Sequence, residues 1–230
     1  LIDPGRESFI AFHRLPVRHG MTIGEIAGLF KHERGLALDL RVMRVEGWRR
    51  SALFDATGLR WVNPSPNMRS LTEAVLYPGI GLLERTNLSV GRGTDRPFEI
   101  LGAPWIDGRR LERALNGAEL PGVRFDAAVF VPNASKFSNQ RCEGVVIAIT
   151  DRALFKSLHT GFEIARQLRI LYPRDWGCKA YDDLLLNRAV HEAVLAGNPV
   201  ARIESIYRPG LRSFLDRRAR FLLYGDPADR

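Results

Sequence analysis

Residues 77–105 read YPGIGLLERTNLSVGRGTDRPFEILGAPW, and the side chains best suited to chemistry cluster there: Glu84, Thr86, Asn87, Ser89, Arg92 and Thr94. Hydroxyls and an amide supply neutral donors and acceptors, and arginine adds a planar fork of donors. That mixture suits a polyhydroxylated or acidic ligand, with Glu84 as the carboxylate placed to act on it. Gly79, Gly81, Gly91 and Gly93 give the main chain conformations closed to other residues and let a ligand approach it closely. The segment shows little helical or strand periodicity, so the expectation is a binding loop held by a scaffold. The plain alternative is a solvated surface loop, with Glu84 in a salt bridge to a neighbouring arginine.

The scaffold must come from the elements on either side. Thr22 and Glu25 form a capping box ahead of Ile23, Ile26, Ala27, Leu29 and Phe30, which predicts a helix over 22–33 ended by Gly35. His19, just before that N-terminus, is either a ligand-holding residue or a turn residue. Residues 1–18 read as irregular chain with a short strand. Leu38, Leu40 and Val42 alternate with Asp39, Arg41 and Met43 and predict a strand over 38–45. A helix followed by a strand suggests the closing unit of an α/β sheet begun upstream. The stiff Pro64-Ser65-Pro66-Asn67 run then marks a domain boundary. Ser70 and Glu73 form a second capping box, on a helix expected to end at Tyr77-Pro78-Gly79. Beyond the central segment a helix is expected over 107–115 and strands over 123–131 and 144–150. The polar run PNASKFSNQRCEG lies between those strands as a loop over a binding face. Helices are expected over 153–171, 182–196 and 200–223.

Composition narrows the classes. In 230 residues, 45% hydrophobic and 26% charged, the chain can bury a core as one large domain or two small ones. A net charge of +8, mostly arginine, favours anionic partners without choosing among them. The basic residues are scattered apart from Arg217, Arg218 and Arg220, and no zinc-finger, homeodomain or RNA-recognition signature accompanies them, so nucleic acid is not expected. No apolar run is long enough to span a membrane. Cys142 and Cys178 are expected as two unrelated buried thiols, and the dispersed histidines imply no metal site.

Several stretches occur in one order: HGMTIGE at 19–25, GWRR at 47–50, PSPN at 64–67, YPG at 77–79, ERTNLSVGRGT at 84–94, PFEILGAPW at 97–105 and KFSNQRCEGV at 136–145. Together they resemble the exo-β-N-acetylmuramidase family of NamZ (YbbC) type. The resemblance covers essentially the whole chain and is far more specific than any single motif. It implies an α/β fold, with 1–62 as the end of a Rossmann-like catalytic domain and 63–230 as an α+β C-terminal domain. It also implies a glycoside hydrolase that releases N-acetylmuramic acid from the non-reducing ends of peptidoglycan fragments, without a cofactor, in the periplasm or outside the cell.

Glycoside hydrolysis ordinarily takes two carboxyl groups, one protonating the leaving oxygen and one acting as base or nucleophile. In this family a PEHG glutamate is the expected acid, and no PEHG occurs in these residues; Glu143 also stands where relatives more often carry glycine. Glu84 is then the carboxylate expected from this chain. Arg92 would meet the lactyl carboxylate, and Asn87, Ser89 and Thr94 would bind hydroxyls or the acetamido group. His19, Asn67 and Thr86 complete the expected binding set, with Trp105, Trp61 or Trp48 stacking on a sugar face. The alternative is a basic carbohydrate- or polyanion-binding domain without catalysis.

Overall fold

The computed structural model describes residues 1–225. It is a mixed helix-and-sheet fold built around three antiparallel strands, β1 (Ile100–Ala103), β2 (Val123–Phe130) and β3 (Cys142–Ile149), in the order β1-β3-β2. β3 is central, with Leu101 opposite Val145 on one side and Phe125 opposite Ile147 on the other. α3 (Gly108–Asn116) packs on this sheet, starting at an Asp107 cap whose side chain accepts from the Arg110 amide. α2 (Leu71–Ile80), α4 (Ser157–Leu171), α6 (Arg188–Leu195) and α7 (Val200–Ala219) complete the main core, and a short α5 (Asp182–Leu185) precedes α6. That core draws its buried side chains from residues 76–203, with Leu76, Leu83, Leu101, Phe125 and Leu168 among them. No helix among the described residues is long and apolar enough to cross a membrane.

Both capping boxes form. Thr22 and Glu25 exchange bonds at the start of α1 (Ile23–Glu33), and Ser70 and Glu73 do so at the start of α2. Glu25 goes further than a cap. Arg50 grips its carboxylate with two bonds of 2.6 and 3.1 Å, and the Leu223 amide donates to it at 2.7 Å. Burial alone would push the Glu25 pKa up; the bonds from Arg50 and from the Thr22 and Leu223 amides outweigh it and bring it down to about 2. α1 thus rests in a second, small core of Met21, Leu29 and Phe214, edged by Phe30 and Phe221.

Several expectations are corrected. The alternating stretch over 38–45 makes no strand: among the described residues no neighbour offers it a ladder. The short strand expected within 1–18 reduces to an isolated bridge between Ser8 and Ala11. β1 lies inside the segment expected to be loop; at four residues, all buried, it offers no alternation to detect. The helix over 182–196 is two pieces, since Leu186 turns to φ 49° and Asn187 caps a new start. α2 runs through Pro78 to Ile80 rather than stopping at it, continuing into a 3₁₀ turn, Gly81–Arg85. Cys142 and Cys178 are separate buried thiols, as expected.

Candidate functional site

Glu84 sits on that 3₁₀ turn, so its position is set by how α2 is held. α2 touches α4 backbone to backbone: a Cβ on Gly79 would lie 2.0 Å from the Ser157 carbonyl oxygen. The Ser157 hydroxyl accepts from the Gly79 amide at 2.9 Å and donates to the Leu76 carbonyl at 3.0 Å. Leu82 and Leu83 bury the turn, leaving the Glu84 side chain 19% exposed at a cleft. Its carboxylate accepts from Arg92 at 2.8 Å. Arg92 stands between Gly91 and Gly93, at φ 80° and 84°, in a turn only glycine enters without strain. The loop over 132–140 closes on this turn. Asn133 N–H donates to the Gly93 carbonyl at 2.7 Å, and the missing Gly93 side chain leaves room for Ala134. Lys136 then donates to the Glu84 carbonyl oxygen.

The result is a cleft of about 240 Å³ lined by Glu84, Arg85, Ser89, Arg92, Ser135 and Lys136. A wider cleft of about 590 Å³, apolar in character, also ends at Glu84 and runs past Tyr77, Phe12, Phe30 and His19. Glu84 therefore stands where the two meet. Burial pushes the Lys136 ammonium below its usual pKa; Glu84 opposes this, and Arg85 and Arg92 reinforce it. Burial, then the Glu84 charge, push the Tyr77 phenol up. Burial, then the Arg218 charge, lower His19, whose Nδ1 accepts from the Met21 amide at 3.1 Å.

The residues expected to face a ligand divide clearly. Glu84, Ser89 and Arg92 line the smaller cleft, though Ser89 is buried and its hydroxyl accepts from the Gly91 amide at 3.3 Å, and His19 lines the wider one with Glu84. Three others are occupied within the fold. The Thr86 hydroxyl is buried and donates to the Leu83 carbonyl at 2.8 Å. Asn87 staples a neighbouring loop, donating to the Asp175 carbonyl at 2.8 Å and accepting from the Gly177 amide at 2.6 Å. Thr94 closes its own turn, donating to the Gly91 carbonyl at 2.7 Å and accepting from the Arg96 amide at 3.1 Å. Asn67 sits in a tight turn where Ser65 bridges Met68, outside both clefts. Trp105 packs edge-on to Tyr172 at 5.4 Å, Trp48 to Tyr224 at 4.7 Å and Trp61 to Phe54 at 5.2 Å; none of the three lines either cleft. Glu143 is on β3, ion-paired with Arg141 at 2.7 Å.

Several cleft residues escaped sequence reasoning. Lys136 and Ser135 lie in the polar run assigned to a binding-face loop, yet nothing in their types singled them out. Tyr77 reads as part of a helix stop, and only the fold aims its ring at the wider cleft.

Two adjoining family models match this chain: "Exo-beta-N-acetylmuramidase NamZ, N-terminal" over residues 1–72 and "Exo-beta-N-acetylmuramidase NamZ, C-terminal" over residues 75–224. The peptidoglycan β-N-acetylmuramidase NamZ of Bacillus subtilis (strain 168) is 39% identical over 227 residues, covering 97% of this chain and 55% of the relative. The chain thus spans about half the length of the curated relative it matches. Crystal structures of two DUF1343 family proteins from Bacteroides fragilis NCTC 9343 superpose with TM-scores of 0.79 and 0.78 at 24% and 23% identity. They cover 98% of this chain and 62% and 61% of their own, a likeness of fold. With a family model spanning well over half of its residues, this chain belongs to the NamZ exo-β-N-acetylmuramidase family.

Proposed function

We propose that this chain forms the substrate-binding walls, and one carboxylate, of a peptidoglycan exo-β-N-acetylmuramidase acting in the periplasm or outside the cell. The observation that carries the reading is the smaller cleft, where Glu84 and Arg92 meet beside Ser89 and Lys136 in a chain of this family. A carboxylate already paired with a guanidinium suits the anionic role in glycoside hydrolysis, stabilising positive charge that develops on the sugar. The proton-donating role falls to a second carboxyl group, which we assign to the PEHG glutamate expected in a Rossmann-like half. Residues 1–62 would close that half. Support comes from α1 and from the unpaired 38–45 stretch, whose alternating residues suit pairing with a strand of the same domain.

The test is release of 4-nitrophenol from its β-N-acetylmuraminide. The 230-residue chain alone should release none, and a version carrying the PEHG half should turn over. In that longer version Glu84→Gln should lower kcat by roughly 10²-fold or more. Full turnover by Glu84→Gln would reduce Glu84 to a salt-bridge residue. Robust activity in the 230-residue chain would overturn the assignment of the acid. A PEHG-bearing version that binds muramic acid yet never hydrolyses would favour the binding-domain alternative.

A further inference from the structure

We infer that Lys136 is the specificity-determining residue of the smaller cleft, meeting the carboxylate of an acidic sugar together with the remaining N–H groups of Arg92. This assignment rests on the muramic-acid reading above and names the residue through which it operates.

The first ground is charge. Three cations line the cleft, Arg85, Arg92 and Lys136. Arg85 pairs with Asp183 at 2.9 Å and Arg92 with Glu84 at 2.8 Å. Lys136 reaches the Glu84 main-chain carbonyl, and among the described residues it has no carboxylate in ion-pair range. Glu84 steadies this partly buried ammonium from nearby without pairing with it, and an incoming anion in direct contact offsets the remaining cost of burial. Arg92, which also lines the cleft, binds Glu84 through one terminal nitrogen, and its other donors have no partner among the described residues.

The second ground is the backbone. Ser135 and Phe137, on either side of Lys136, hold left-handed φ values of 67° and 58°, and Asn139 holds 59°. Such conformations are unfavourable for non-glycine residues and persist only where the surroundings over-determine them. Here the surroundings are visible: Phe137 packs against the main core, and the Asn139 amide donates to the Pro132 carbonyl at 2.7 Å. The loop is held in a strained form whose outcome is to present Lys136 beside Arg92.

The third ground is size. At about 240 Å³ the cleft is smaller than sites that enclose a whole ligand, which run to roughly 300–1,000 Å³. It takes the acid-bearing edge of one sugar, with the rest of the ring toward the wider cleft at Glu84.

The experiment titrates the 230-residue chain with N-acetylmuramic acid and with N-acetylglucosamine, which lacks the lactyl acid, following binding by NMR. The unmodified chain should prefer N-acetylmuramic acid. Lys136→Met should weaken that sugar by about tenfold or more, as expected for a charge-assisted contact, and leave N-acetylglucosamine within about twofold. Lys136→Arg, which keeps the charge, should retain most of the preference. A preference that survives in Lys136→Met overturns the role of Lys136 while leaving the muramic-acid reading intact. Equal losses for both sugars also overturn it, reducing Lys136 to a prop for the Glu84 carbonyl. An unmodified chain without any preference overturns both.

Discussion

Residues 76–203 and residues 1–62 use similar proportions of apolar side chains to opposite ends. The first set closes on itself, and most of its large apolar residues are buried in the core or packed against it. The second holds twelve of the eighteen large apolar residues left exposed among the described residues, Phe9, Ile23 and Met43 most of all. So many cannot be scattered single exposures of the ordinary kind. Where the main region is held by extensive packing, the N-terminal region is held by the small core around α1 and a few polar contacts, the Glu25–Arg50 pair foremost. The difference teaches that one chain can join a self-sufficient core to a segment whose apolar face is left unsatisfied.

The hardest blow to this contrast falls on the sheet. Leu101→Ala removes a fully buried side chain opposite Val145 and should cost roughly 2–5 kcal/mol in urea unfolding. A loss under about 1 kcal/mol would show that the main core is loosely packed.

Next comes Glu25→Gln, which strands Arg50 and should cost about 3 kcal/mol, felt locally. Amide exchange in α1 should quicken by roughly a hundredfold while β2 and β3 keep their protection. Equal loosening everywhere would make the two regions one cooperative unit. Acid offers the same test without mutation. The Glu25 pKa is lowered in the folded chain, so its contribution is complete above the ordinary 4.5 and fades as pH falls through about 2. α1 should loosen across that window.

The smallest effect belongs to the exposed face. Ile23→Ser and Met43→Ser should change stability by no more than about 0.5 kcal/mol. They should also reduce self-association in sedimentation runs, because both side chains stand nearly free in solvent, at 88% and 89% exposure. A large loss of stability would mean that this face is already covered.

What the sequence discloses follows the range of the forces involved. Capping boxes act within four residues, and Thr22–Glu25 and Ser70–Glu73 are legible as written. β2 reads from its alternation and β3 from a mostly apolar run, and those patterns suffice. The alternation at 38–45 misleads because a strand needs a neighbour that no local pattern supplies. In the cleft, Glu84, Ser89 and Arg92 are readable by type, whereas Thr86, Asn87 and Thr94 have the same chemistry and spend it inside the fold. Polar type shows that a group needs a partner, and only the packing decides whether that partner is a ligand. Lys136 depends on a backbone bend at Ser135 and Phe137 that neither residue type announces.

The small core around α1 joins Met21 and Leu29 to Phe214, and Glu25 to the Leu223 amide. A ribosome delivers these partners almost two hundred residues apart. α1 therefore waits for these partners while the residues between are made, and the sheet can close once β3 has emerged. α7 and the residues just after it are what fasten α1.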